Sequence, residues 1–162
     1  WCGTMSFDTS GRTMMGITPL EFKNLILKLD HKPIAFGANC GVGSSDLLRT
    51  IKSFINKDIK IIAKGNAGIP KFKGGKIVYD GTPEIMAKYA CYARDLGASI
   101  IGGCCGTTPL HIREMKKSLS ENLTLREISL DMIEDCFGKF SSKSDSSRVK
   151  DTSKNKRRRR VH

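Results

Sequence analysis

The sequence lacks any run of about 18 consecutive apolar residues, the minimum for a membrane-spanning helix, so it predicts no transmembrane segment. It also lacks a recognisable secretory signal peptide. Acidic residues are few: the chain has 16 Asp and Glu and 28 Lys and Arg, which gives a net charge of +12. Six cysteines without a regular disulfide framework favour a reducing compartment, and the sequence therefore predicts a cytoplasmic protein.

Much of the positive charge lies at the end of the chain. Residues 139–162 contain ten Lys or Arg and two Asp, a net charge of +8. This stretch is rich in Ser and Lys and cannot bury a core, so we expect a disordered basic tail. The arginines at 157–160 have the charge to contact nucleic acid. Because no aromatic side chains interleave with them to stack on bases, a solvated tail is favoured and nucleic acid is not an expected partner.

Residues 1–138 alternate short apolar runs with amphipathic segments, which predicts an α/β domain with a parallel sheet. Apolar stripes at helical spacing, which include Leu25, Ile55 and Ile112, predict four core-packed helices, and residues 125–137 suggest a fifth. Three Thr-Pro pairs predict capped helix starts, at residues 18, 82 and 108. The strands are expected at 2–7, 34–38, 59–64 and 99–102, and the last three are apolar throughout, as in strands covered on both faces.

Three cysteines stand where predicted strands end. Cys40 lies in GANCGVG at 37–43, and Cys104 and Cys105 are adjacent in GGCCG at 102–106. If the strands share one sheet, three thiolates meet at one point, and such a set forms a zinc site with an open fourth position. The residues alone leave two alternatives, a strained disulfide between neighbours or packed small apolar side chains. The separation of 64 positions from Cys40 to Cys104 matches no short zinc-finger spacing.

Both cysteine runs resemble the two zinc motifs of the homocysteine S-methyltransferase family. NAGIP at 66–70 resembles the loop between those motifs, and GRTMMG at 11–16 is similar to a segment of the bacterial betaine–homocysteine branch. The resemblance extends from about residue 2 to residue 119. It implies a Zn²⁺ cofactor held by Cys40, Cys104 and Cys105, with homocysteine and a small methyl donor as partners.

The resemblance also implies a fold. Four strand–helix units are half of a (β/α)8 barrel, which needs roughly 250 residues, so we expect residues 1–138 to be units five to eight of a TIM barrel. Right-handed crossovers place all four strand ends, and hence the cysteines, at the active-site end. No initiator Met precedes Trp1, so we expect a chain that lacks its beginning.

Several polar and glycine residues near the cysteines are candidates for substrate binding. Glycine-flanked loops form anion nests, so Gly41 and Gly103 are expected to hold the substrate carboxylate or the sulfurs. Asn39 and Asn66 either bind the substrate or brace their loops. The remaining thiols, Cys2, Cys91 and Cys136, are expected to be packed, and His31 and His111 are expected at the surface.

The expected function is zinc-dependent methyl transfer to homocysteine, giving methionine, with betaine as the preferred donor. One alternative is the homocysteine-binding module of a cobalamin-dependent methionine synthase. A second is a non-catalytic fragment that binds zinc. The sequence is compatible with an oligomer and predicts no membrane partner.

Overall fold

The computed structural model describes residues 1–56 and 58–142, so most of the predicted basic tail lies outside the described residues. Strands and helices alternate as expected for an α/β fold. The elements are β1 (Cys2–Met5), α1 (Pro19–Lys28), β2 (Ala35–Cys40), α2 (Ser44–Phe54), β3 (Lys60–Gly65), β4 (Pro70–Lys73), β5 (Lys76–Tyr79), α3 (Pro83–Asp95), β6 (Ala98–Gly103), α4 (Pro109–Glu121) and α5 (Leu130–Phe137).

The main sheet has four parallel strands in the order β1-β2-β3-β6. All four strands that the sequence predicts are confirmed, although β1 ends two residues early and β2 continues to Cys40. Because the strands are parallel, their carboxyl ends lie at one edge. Cys40, Gly65 and Gly103 are aligned there on neighbouring strands.

An aromatic cluster fixes β2 against its helices. Phe36 of β2 packs between Phe22 of α1 and Phe54 of α2, with ring centroids 5.2 to 6.0 Å apart, and Phe7 closes the cluster. All four rings are buried. Burying each such side chain contributes about 1.5–3 kcal/mol, so this cluster holds the strand that carries Cys40.

The three Thr-Pro pairs stand at helix starts, as predicted. The third of them makes a contact that corrects the prediction for His111. The side chains of Thr18 and Thr82 accept hydrogen bonds from backbone N–H groups of their own first turns. At Thr108, the backbone N–H donates to Nδ1 of His111 at 3.1 Å. His111 is buried, with 8% of its surface exposed, so the prediction that it lies at the surface was wrong. Its Nε2 donates to the Gly81 carbonyl at 2.9 Å, which links α4 to the segment before α3.

An antiparallel hairpin, β4–β5, was not predicted. Gly74 and Gly75 form its turn, with φ of 56° and 77°, a conformation that a two-residue hairpin turn requires of both residues. A Gly-Gly pair between two short β-prone runs is the sequence signal for it. The hairpin is largely open, with Phe72 77% and Ile77 64% exposed.

Some residues predicted to be buried are exposed. Ile100 of β6 is 42% exposed, because β6 is an edge strand of the described sheet and lacks the two-sided cover predicted for it. Cys2 is exposed on the opposite edge strand. In the helices, Leu25 and Ile112 face away from the sheet, and Ile55 follows the end of α2.

The chain after α4 returns across the helices. Helix α5 begins at Leu130, capped by Ser129, later than the sequence suggests. Beyond it, the Ser141 N–H donates to Asp46 at 3.0 Å and Arg49 donates to the Ser142 carbonyl at 2.7 Å. Ser141 and Ser142, which belong to the predicted tail, thus contact α2, and the domain boundary at residue 138 stays a prediction. Within the described ranges, no helix combines the length and apolar character needed to cross a membrane.

Candidate metal centre

Three sulfur atoms meet at the carboxyl edge of the sheet. The Sγ atoms of Cys40, Cys104 and Cys105 all lie within 4.8 Å of one another. Cys40 is 2.8 Å from Cys104 and 4.0 Å from Cys105. In the described part of the chain, these are the only three His, Cys, Asp or Glu side chains grouped closely enough to share a metal ion. All six cysteines are free thiols, so the disulfide alternative is not formed.

The donor set fits zinc. Tetrahedral coordination with Zn–S bonds of about 2.3 Å places sulfur ligands about 3.8 Å apart. The Cys40–Cys105 separation of 4.0 Å is close to that value. The Cys40–Cys104 separation of 2.8 Å is shorter, so these two side chains would move apart by about 1 Å to share a metal ion. Thiolates are soft ligands that select zinc over magnesium or calcium.

Strand β3 carries no ligand but lies between β2, which ends at Cys40, and β6, which Cys104 and Cys105 follow. It pairs with β2 on one side and β6 on the other, so residues 64 positions apart meet over its end. The Cys104 N–H donates to the Gly65 carbonyl at 2.7 Å, and the Ala67 N–H donates to the Cys105 carbonyl at 2.9 Å. These bonds fix the backbone of the double-cysteine loop on the end of β3.

Asn66 bridges the two cysteine loops. Its Nδ2 donates to the Gly41 carbonyl at 3.0 Å, and its Oδ1 accepts from the Cys105 N–H at 3.1 Å. The residue is 4% exposed. Both ends of the amide are engaged with backbone, which favours bracing over substrate binding among the two roles predicted for it.

We expect Asn66→Asp to weaken zinc binding by about 10- to 100-fold, as loss of a residue that orients metal ligands typically does. A carboxylate keeps the acceptor for the Cys105 N–H but loses the donor to the Gly41 carbonyl and repels it. Competition with a fluorescent zinc chelator measures the change. The control is Asn24→Asp, which makes the same change on the exposed side of α1. Equal zinc affinities for the two variants would contradict the bracing role.

The backbone at Cys40 is held in an uncommon conformation. Its φ is 54°, in the left-handed region that non-glycine residues enter at a cost of about 1–3 kcal/mol. Asn39 beside it donates through Nδ2 to the Ser6 hydroxyl at 3.2 Å, which ties the end of β2 to the segment after β1. The substrate role of Asn39 stays a prediction.

The pKa values of the Cys40 and Cys104 thiols are shifted in opposite directions. Burial tends to raise the pKa of Cys40, but hydrogen bonds from Cys104, Asn39, Cys105 and Ser6 outweigh it and lower that pKa below its ordinary value. Burial, with the hydrogen bond and charge of Cys40, raises the pKa of Cys104 to about 11. Cys40 is therefore the more readily deprotonated thiol of the pair. Metal binding requires Cys104 to lose its proton, so affinity for zinc falls as pH falls.

The two glycines predicted to bind substrate occupy different surroundings. Gly41 has φ of 83° and open space where a side chain would stand. Gly103 is closely packed, because a Cβ there would lie 2.2 Å from Oγ1 of Thr107. The packing explains why position 103 needs glycine, and the anion-binding role of both residues stays a prediction.

Tyr79, which ends β5 beside the thiols, is a site residue that was not predicted from the sequence. Burial raises the pKa of Tyr79, and a hydrogen bond to Cys105 and the charges of all three cysteines add to the effect. No spacing rule marks this residue, because it reaches the site only through the hairpin that was not predicted.

Comparison with known proteins agrees with the chemistry of the site. The chain matches the family model for homocysteine S-methyltransferase over residues 1–119. Among solved structures, it is similar to the homocysteine methyltransferase MmuM from Escherichia coli in its oxidized form, with a TM-score of 0.47 and 22% identity. That similarity covers 67% of this chain and 32% of the other, so the chain spans about a third of that protein's length. Because the family match covers most of its residues, this chain belongs to the homocysteine S-methyltransferase family.

Proposed function

We propose that this chain carries the zinc-binding part of an enzyme that methylates the thiol of homocysteine to give methionine. The observation that carries the proposal is the meeting of Cys40, Cys104 and Cys105 at the carboxyl edge of a parallel sheet, within 4.8 Å. Active sites of α/β barrels lie at this edge. Membership of the family supports homocysteine as the methyl acceptor.

The three cysteines would hold zinc and leave one ligand position for the substrate sulfur. Bound there, zinc would act as a Lewis acid and keep the substrate thiol deprotonated at neutral pH, as an electron-rich nucleophile. The protein's own part is to fix the sulfur donors. Asn66 holds the two cysteine loops together, and the Asn39–Ser6 contact holds the end of β2.

We also propose that the sheet is the second half of a (β/α)8 barrel, units five to eight. Four parallel strands with covering helices support this, as do the edge positions of β1 and β6 in the described sheet. On this proposal, the segments that bind the substrate amino group and the methyl donor lie outside this chain.

For the methyl donor we propose betaine, on the similarity of residues 11–16 to the bacterial betaine branch. A quaternary ammonium is recognised by an aromatic cage. Phe7 cannot contribute to one, because it is buried against Phe22 and Phe54. Trp1 lies at the start of β1, away from the sulfur atoms, and donates to the His31 carbonyl. Most of the cage would therefore come from segments outside this chain.

We propose a reducing compartment, the cytoplasm, for the protein. All six cysteines are free, and the 2.8 Å contact between Cys40 and Cys104 leaves these two thiols open to oxidation when no metal binds them. Oxidised thiols are not zinc ligands, so the proposed activity requires reducing conditions.

The test is methionine formation by the complete protein from homocysteine, with betaine, S-methylmethionine or methyl-folate as the sole donor and without cobalamin. We expect activity with betaine that is lost in Cys105→Ala. Activity with S-methylmethionine alone would replace the donor and keep the metal chemistry. Failure with every donor, in protein shown to contain zinc, would contradict the enzymatic function.

A further inference from the structure

A lysine without a partner stands near the carboxyl end of the strand between the two cysteine loops. Strand β3 lies between β2 and β6 in the parallel sheet, and strands in such a position are normally apolar because both of their faces are covered. Ile61, Ile62 and Ala63 follow this rule and are buried, but Lys64 is exposed. Its ammonium group forms no hydrogen bond or ion pair with any other residue that the structure describes. The fold of the described chain therefore gives no structural reason for a cation at this position.

The side chain of Lys64 extends from the face of the sheet that the described helices leave uncovered. Side chains alternate between the two faces along a strand, and the neighbouring Ala63 belongs to the core that the sheet forms with the helices. On the other face, a Cβ at Gly102 of β6 would stand 3.8 Å from Cγ of Lys64, so the aliphatic part of the lysine runs beside this glycine. In the proposed barrel, this face of the sheet lines the interior.

Lys64 belongs to the row of residues that crosses the sheet just before the cysteines. It is paired with Asn39 on β2 and with Gly102 on β6. Asn39 directly precedes Cys40, and Gly102 stands two positions before Cys104. Active sites of α/β barrels lie at this end of the strands, and lysine carries its ammonium on a flexible four-carbon stem. The ammonium is therefore placed to meet a substrate that is bound at the sulfur atoms.

The charge of the metal centre explains why a cation is needed there. Zinc with three thiolates carries a net negative charge, and a fourth thiolate from the substrate increases it. A carboxylate that approaches this centre is repelled unless a nearby cation offsets the charge. Homocysteine and betaine each carry a carboxylate. A charge-assisted hydrogen bond from an ammonium group is about twice as strong as one between neutral groups, so a lysine is a suitable partner for either carboxylate.

We propose that Lys64 is a substrate-binding residue whose ammonium group holds a substrate carboxylate beside the metal centre. This inference rests on the proposed function, because the carboxylate is that of homocysteine or of the methyl donor. The exposed position of Lys64, its lack of a partner among the described residues and its place in the row before the cysteines all follow from this role. Zinc binding itself does not require the lysine, since the three sulfur atoms are the metal ligands.

The test compares Lys64→Met, which keeps an unbranched apolar side chain and removes the charge, with Lys60→Met. Lys60 is the matched control, because it is exposed on the same face of β3 but at the amino end of the strand. In the complete, zinc-loaded protein, calorimetry measures the affinity for homocysteine and for 3-mercaptopropylamine, the same thiol without the carboxylate. Methionine formation gives the KM for betaine, and inhibition by choline, which has a hydroxyl group in place of the carboxylate, gives the second comparison.

We expect Lys64→Met to weaken either homocysteine binding or the KM for betaine by about 10- to 100-fold, the usual effect of losing a hydrogen bond to a charged group. The substrate that is weakened is the one whose carboxylate the lysine holds. Binding of the analogue without the carboxylate should be unchanged, as should the zinc content and the unfolding midpoint. Lys64→Arg should retain most of the affinity, and Lys60→Met should behave as wild type.

Two results would overturn the inference and leave the proposed function in place. One is wild-type values for both homocysteine and betaine in Lys64→Met. The other is an equal loss of affinity for a substrate and for its analogue without the carboxylate, or a fall in zinc content, because either would mean that the lysine supports the structure. A wild-type protein that contains zinc but binds no homocysteine would remove both the inference and the proposed function.

Discussion

Cys104→Ala is expected to reduce zinc content from about one ion per chain to near zero after dialysis against a weak chelator. Two of the three sulfur ligands remain, but the closest pair, Cys40 and Cys104 at 2.8 Å, is broken. Losing a thiolate from a three-thiolate site removes the charge that offsets the dication, so the expected effect is larger than that of any change outside the ligands. Atomic absorption on purified protein measures it.

The matched control is Cys91→Ala. Cys91 is buried between α3 and α4, where it contacts the Ser118 hydroxyl at 3.2 Å, and it is outside the sulfur cluster. We expect wild-type zinc content in this variant, with a modest loss of stability from the removed sulfur. Equal zinc content in both variants would show that the three sulfurs do not hold the metal.

Gly37→Ala is expected to have the largest effect on folding. A Cβ at this position would stand 1.8 Å from the Ile62 carbonyl oxygen, which is backbone of the neighbouring strand β3 and cannot turn aside. Overpacking in a closed interior costs about 1–3 kcal/mol and occasionally more, and here we expect the upper end or beyond. Separating β2 from β3 also moves Cys40 away from Cys104, so zinc content should fall together with stability.

Gly102→Ala is the control for that prediction. It adds the same methyl group in the same sheet, two residues before Cys104, where the nearest atom would be Cγ of Lys64 at 3.8 Å. Urea unfolding followed by circular dichroism should give a midpoint close to wild type for Gly102→Ala and a much lower one for Gly37→Ala. A pair of equal midpoints would mean that the β2–β3 contact is not as close as the structure describes.

The parallel sheet and the sulfur cluster were predictable from the sequence for one physical reason. Two apolar runs end in glycine and cysteine, and parallel strands bring their carboxyl ends to one edge. The resemblance of GANCGVG and GGCCG to known zinc motifs then distinguished a metal site from a disulfide or packed thiols, which spacing alone could not do.

The supporting residues were not predictable, because their roles depend on contacts between distant loops. The sequence leaves two roles open for Asn66, substrate binding and bracing of its loop. Only the structure shows that its amide group hydrogen-bonds to the backbone of Gly41 at one end and Cys105 at the other. His111 lies one residue before the apolar Ile112, and helical spacing favoured the apolar side chain for the core. In the structure, His111 accepts a hydrogen bond from the Thr108 N–H and donates one to the Gly81 carbonyl. His111 is therefore held in the interior, and Ile112 is the exposed residue.

The hairpin was missed because its strands are four residues long and mostly exposed, so they lack the buried, apolar runs by which the other strands were found. Its Gly-Gly turn was the available signal. Missing the hairpin also meant missing Tyr79, since the residue reaches Gly106 of the double-cysteine loop only through the fold of β5.

The central claim is that Cys40, Cys104 and Cys105 together form a zinc site with one position open to a substrate sulfur. X-ray absorption at the zinc edge of the full-length protein, before and after addition of homocysteine, tests it most directly. The account predicts three sulfur ligands at about 2.3 Å with one lighter ligand, changing to four sulfurs when homocysteine is added. Zinc bound only by nitrogen and oxygen, or a sulfur count that homocysteine does not change, would contradict it.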